Sequence, residues 1–145
     1  MEHLIRNIVK GLLALLLFIV VAGVQIGQAQ TIRDKNNSTI ARIDSDGTVR
    51  NSNNSTIAHI NSNGDIRDSS NRLLGTVSSD GTVRNSNNSY IGKIESDGTV
   101  RNRNNSYVGK VYQDGTVRNS NNSTIGYAKD VPVRYAAIYF FFDLI

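Results

Sequence analysis

Ser89-Tyr90-Ile91-Gly92-Lys93-Ile94-Glu95-Ser96-Asp97-Gly98-Thr99-Val100-Arg101-Asn102 is a clean copy of a unit that recurs every 17 residues along most of the chain. Its flanks, Tyr90 to Ile94 and Thr99-Val100, are aromatic and β-branched, which favours strands. Between them Ser96-Asp97-Gly98 reads as a turn, because glycine takes positive φ without a Cβ clash. Two short strands joined by Asp-Gly make a β-hairpin. The stretch that follows, Asn102-Arg103-Asn104-Asn105-Ser106, is polar and rich in asparagine, which tolerates the left-handed region and bonds its own backbone. It reads as a second turn. Aligning Arg33, Arg50, Arg67, Arg84, Arg101 and Arg118 brings the other columns into register, with Asp/Asn-Gly at Asp46-Gly47, Asn63-Gly64, Asp80-Gly81, Asp97-Gly98 and Asp114-Gly115. The chain is therefore expected to be all-β, an antiparallel meander with no helix before its C-terminus.

A short fixed period means small units that cannot bury an apolar face alone and must assemble with their neighbours. The apolar columns are Ile40/Ile57/Leu74/Ile91/Val108/Ile125, Ile43/Ile60/Val77/Ile94/Val111 and Ile32/Val49/Ile66/Val83/Val100/Val117. The first two lie three residues apart, which strict strand alternation does not allow on one face. The small residue between them (Ala41, Ala58, Gly75, Gly92, Gly109 or Gly126) suggests a bulge at its column that returns both to the interior. At the ends, Thr31-Ile32-Arg33 is a second strand without its first, and Ser123 to Tyr127 is a first strand without its second. These halves are complementary, so pairing them closes a ring and removes the exposed edges. Five Asp/Asn-Gly hairpins become six arginine-bearing units if the ends pair, so the terminal bookkeeping allows six-fold closure.

Residues 1–29 read as an export signal, with Arg6 and Lys10 ahead of the apolar run Gly11 to Val24 and small residues at Gly27-Gln28-Ala29. That run is 14 residues, short of the roughly 20 that cross a bilayer as a helix. Cleavage after Ala29 would leave no transmembrane span. The chain has no cysteine, which excludes disulfides, thiolate metal sites and cysteine nucleophiles. Residues 30–129 form the hairpin-repeat domain and 130–145 an apolar segment. From Gln30 onward 14 Lys+Arg stand against 11 Asp+Glu, 14 − 11 = +3, spread evenly. That is no nucleic-acid footprint.

After Lys129 the repeat stops at Asp130-Val131-Pro132, and Tyr135-Ala136-Ala137-Ile138-Tyr139-Phe140-Phe141-Phe142-Asp143-Leu144-Ile145 follows. A ring of small hairpins leaves an axial hole, and this segment supplies bulk to plug it. Asp130 ahead of Pro132 and the Ala136-Ala137 pair favour a short helix, while the Tyr-Phe-Phe-Phe run favours a strand.

The phrases Ser-Asp-Gly-Thr-Val-Arg and Asn-Ser-Thr-Ile-Gly-Tyr, and the closing stretch Ser123 to Lys129 followed by Ala136 to Phe142, resemble the small exported bacterial proteins called five-fold beta-flower proteins. The resemblance spans residues 30–145. It implies a cyclic arrangement of β-hairpins around an axis, with five-fold symmetry, and carries over no activity and no functional residues.

The repeat columns hold several candidate sites. A ring places Arg33, Arg50, Arg67, Arg84, Arg101 and Arg118 at one level, opposite the valines, where guanidinium forks suit carboxylate, sulfate or phosphate groups. The structural alternative pairs each with a repeat aspartate such as Asp46, Asp80, Asp97 or Asp114. Tyr90, Tyr107, Tyr112 and Tyr127 stand exposed among asparagines and suit sugar rings, or serve only as strand formers. Asp44-Ser45-Asp46-Gly47 resembles the start of a calcium loop but lacks the further acidic ligands. The chain offers no phosphate loop, no zinc spacing and no nucleophile–base–orienter set, and His59 sits in a column otherwise filled by Arg42, Thr76, Lys93, Lys110 and Tyr127. The expectation is a non-enzymatic protein without cofactor or metal, exported to the periplasm, outer membrane or beyond. It would act as a binding or structural module of the cell envelope with a glycan or protein partner. The alternative is a structural, oligomer-forming component whose aromatic tail is the interface.

Overall fold

A computed structural model describes residues 30–145 of the chain. The expected export signal, residues 1–29, lies outside the described residues. The strands are β1 (Gln30–Asp34), β2 (Thr39–Ile43), β3 (Thr48–Asn51), β4 (Thr56–Ile60), β5 (Asp65–Asp68), β6 (Leu73–Val77), β7 (Thr82–Asn85), β8 (Tyr90–Ile94), β9 (Thr99–Asn102), β10 (Tyr107–Val111), β11 (Thr116–Asn119) and β12 (Thr124–Tyr127), followed by helix α1 (Val133–Phe141). Each strand pairs antiparallel with its sequence neighbours, and β1 pairs with β12, so the meander closes into a barrel. Twelve strands make six two-stranded units. Five are covalent hairpins across an Asp/Asn-Gly turn, and the sixth is assembled from the two ends, with Arg33 opposite Tyr127 and Asp34 opposite Gly126.

Both turns work as their residues dictate. In the turn before β9 the Gly98 amide donates to the Glu95 carbonyl at 3.0 Å, with Gly98 at φ 87°. The Asp97 side chain accepts the Thr99 amide at 2.9 Å. Four of the Asn-rich turns use asparagine twice, and in the other two Asp34 and Asp68 take the first position. Asn85 starts one by accepting the Asn87 and Ser89 amides on its side chain. Asn88 ends it at φ 63°, and every equivalent asparagine from Asn37 to Asn122 also has positive φ. Each Asp/Asn-Gly turn is tied sideways as well, since its glycine carbonyl accepts an amide of the next unit, as from Ile94 to Gly81 at 2.9 Å.

A bulge is present in every pair that spans an Asn-rich turn, and the extra residue falls one position before the expected glycine column. Arg84 faces Tyr90 and Val83 faces Gly92, which leaves Ile91 unmatched. Ile40, Ile57, Leu74, Val108 and Ile125 are skipped in the same way in their pairs. The skipped residues are half-buried against the core, while the small residue after each points inward and is buried. Bulges sharpen local twist, which helps so short a meander to curl shut.

The small column has its reason in the C-terminal segment, which is a helix inside the barrel rather than a strand. Ala136, Ala137 and Ile138 are fully buried. A Cβ on Gly75 would come within 2.9 Å of Leu144, and one on Gly92 within 2.7 Å of Phe142. One on Gly126 would sit 2.6 Å from Phe140, and Gly109 is likewise filled by Phe141. The tail thus lays four side chains on four glycines, while Ala41 and Ala58 in the other two units are themselves fully buried. The helix start differs from expectation: Pro132 occupies the N-cap position, and Asp130, at φ 64°, makes no capping bond. No helix among the described residues is long and apolar enough to cross a membrane.

Candidate functional site

The arginine column comes from the β-strand that leaves each Asp/Asn-Gly turn, one residue after a buried valine or isoleucine, so alternation points it outward. Each arginine reaches the asparagine four residues on, at the end of its own Asn-rich turn. Arg84 Nη1 donates to the Asn88 carbonyl at 2.9 Å, as Arg50, Arg67 and Arg101 do to their equivalents. Arg33 and Arg118 donate to the side-chain oxygens of Asn37 and Asn122 at 3.1 Å. The carboxylate partners are not the expected turn aspartates. Arg50 pairs with Asp44 at 3.0 Å, Arg67 with Asp65 at 3.0 Å and Arg101 with Glu95 at 2.7 Å. Two of those acids start the Asp-Gly turn, a position at which the side chain lies beside the arginine of the returning strand.

That position also answers a repulsion. The register sets Arg42 against Arg50, Lys93 against Arg101 and Lys110 against Arg118. Like charges directly opposite destabilise a sheet. Asp44 and Glu95 relieve the first two. In the third unit Tyr112 stands in the acid's place, with Lys110 Nζ and the Arg118 guanidinium each 5.6 Å from its ring centre. The buried Arg118 Nε has no hydrogen-bond partner. Lys110 also bonds Asp97 at 2.8 Å, and that contact, with the Thr99 amide, holds the Asp97 carboxyl far below its ordinary range. The Thr48, Thr82 and Thr116 amides, each with the same threonine's hydroxyl, lower Asp46, Asp80 and Asp114. This is turn chemistry, and among the described residues no three acidic or histidine side chains converge as a metal-binding group. The His59 ring lies 3.4 Å from the Thr48 hydroxyl.

Tyr90 and Tyr107 are exposed at 38% and 41% and lie directly across from Arg84 and Arg101. Tyr112 and Tyr127, expected to be exposed, are half-buried. The named site residues therefore do not converge. They circle the outer wall, and Arg33 alone among the six arginines of the column is exposed.

Arg33 also lines a cleft of ≈ 380 Å³ that column reading did not reveal. The cleft lies at the seam, where β1 and β12 pair and no Asp-Gly turn joins them. Gln30, Thr31, Arg33 and Asn37 form one side, and Asp114, Tyr127, Lys129 and Asp130 form the other. Tyr127 is the one aromatic ring there, set across from Arg33 in the β1–β12 pair. The side chains of Gln30, Tyr127, Lys129 and Asp130 make no hydrogen bond or ion pair among the described residues. The signal that could have found it is the mismatch at the ends, where five turns serve six units.

A family model described as 5-fold beta-flower protein matches residues 29–143. No curated protein and no solved structure matches the chain.

Proposed function

This chain belongs to the 5-fold beta-flower protein family, and on its surface chemistry we propose that it is an exported, non-enzymatic binding module of the cell envelope with a glycan or a protein as ligand. The observation that carries the reading is the outer wall of the closed barrel. Closure pairs every described strand on both sides, so a partner cannot be captured by adding a strand to an open edge. Recognition falls to side chains, and the outward columns offer arginine, lysine, tyrosine and asparagine on a scaffold their own hydrogen bonds hold still. Rigid presentation lowers the entropy lost on binding.

The first test is a thermal-shift screen of the chain against neutral and anionic polysaccharides and against divalent metals. A ligand at a hundred times its Kd stabilises the fold by about 2.7 kcal/mol, which moves the midpoint visibly. Loss of that shift in the Arg84→Ala, Arg101→Ala double variant with the fold intact supports the arginine wall, and an unchanged shift removes it. A second reading, a structural part that associates through its aromatic tail, is favoured by Phe140, Phe141 and Phe142 being only half-buried. A flat screen together with self-association in sedimentation would select it.

A further inference from the structure

The seam is where the repeat pattern breaks, and we propose that the cleft there binds a neutral sugar of one or two rings. The proposal rests on the binding-module reading and names the ligand class for one part of that surface. In the five covalent units an Asp/Asn-Gly turn is tied to the next unit through its glycine carbonyl. Between β12 and β1 there is no such turn, and no described residue fills the space. Its walls are fixed nonetheless. The Ala128 amide donates to the Gly115 carbonyl at 2.7 Å, and the Asn37 amide to the Asp34 carbonyl at 3.0 Å. A preformed polar cleft at a single point of a repeating ring suits one ligand rather than a repetitive structural role.

The lining selects the chemistry. Arg33 and Lys129 stand against Asp114 and Asp130, so the site is charge-balanced and favours neither a polyanion nor a polycation. Its volume of ≈ 380 Å³ lies at the small end of ligand pockets, which run to about 1,000 Å³. Among the described residues no aliphatic side chain lines it, which leaves a lipid tail nothing there to bury against. Sugar hydroxyls both donate and accept, and they match cations and amides on the donor side and carboxylates on the acceptor side. A sugar's C–H face needs one flat apolar surface, and Tyr127 provides it.

The test is an amide-shift NMR titration of the full chain with glucose, galactose, mannose, N-acetylglucosamine and their disaccharides. Expected are saturable shifts at Gln30, Asn37, Asp114 and Lys129. Tyr127→Thr is a mild change, because Thr76 fills the same column in another unit, and it should weaken binding about tenfold. Lys93→Thr, in that column but remote from the seam, should leave binding unchanged. Undiminished binding by Tyr127→Thr overturns the proposal, as does tighter binding of glucuronate or a free amino acid at these residues. Shifts at Arg84, Tyr90, Arg101 and Tyr107 instead would overturn the cleft and leave the binding module standing. A flat titration beside a positive polysaccharide screen would do the same.

Discussion

Asn88 shows how much one residue decides here. It closes its turn at φ 63°, a conformation that costs most residues with a Cβ about 1–2 kcal/mol. Asn88→Ala should lower the unfolding free energy by about that amount, and Asn88→Gly should hold it, as measured by urea denaturation. The paired asparagines mark these turns plainly in the sequence. The arginine partners were not legible there, because Asp44 and Glu95 meet Arg50 and Arg101 only after the hairpin folds back. The turn aspartates set the acid response. Asp46, Asp80, Asp97 and Asp114 all lie below the ordinary 3.8 in the folded chain. A lowered carboxylate contributes stability that is complete above the unfolded pKa and is lost as pH falls through the folded one. The urea midpoint should be flat above about pH 5 and drop steadily below about pH 4. Asp97→Asn should make that acid slope shallower, since Asn63 makes the same bond uncharged, to the Asp65 amide at 2.9 Å.

At the scale of the element, the bulged strand and the tail determine each other. Spacing alone signalled a bulge near Gly92, but strand alternation could not say which residue is extra. The register answers that it is Ile91, and the Phe142 ring supplies the reason for a glycine next to it. Gly109→Ala would drive a methyl into the Arg118 carbonyl and the Phe141 ring. Overpacking of this kind costs about 1–3 kcal/mol and should alter the near-ultraviolet circular dichroism of the tail. Ala58→Gly, in the same column of another unit, should leave that spectrum unchanged. The helix itself was balanced against a strand in the sequence, since Ala136-Ala137 and Tyr139 to Phe142 pull opposite ways. Burial inside a barrel whose strands are already paired resolves it, because a lone strand there would find no partner for its backbone groups.

The whole molecule depends on its plug. The inward columns are modest valines and isoleucines, and α1 with the residues after it fills the lumen they surround. Removing residues 130–145 should abolish cooperative unfolding in denaturant, because an open apolar lumen cannot be satisfied by water. A truncated chain that still melts sharply would show that the ring stands without its filling.

Periodicity of 17 residues, turn residues with defined backbone preferences and complementary half-units were enough to read the meander, its turns and its closure, because the first two are local properties repeated at every copy and the third follows from two half-units that complete each other. The number of units, the identity of the bulged residue, the partners of the arginines and the seam cleft all required the closed barrel. Each depends on residues brought together across the ring, and the cleft exists only because the first and last strands meet without a turn between them.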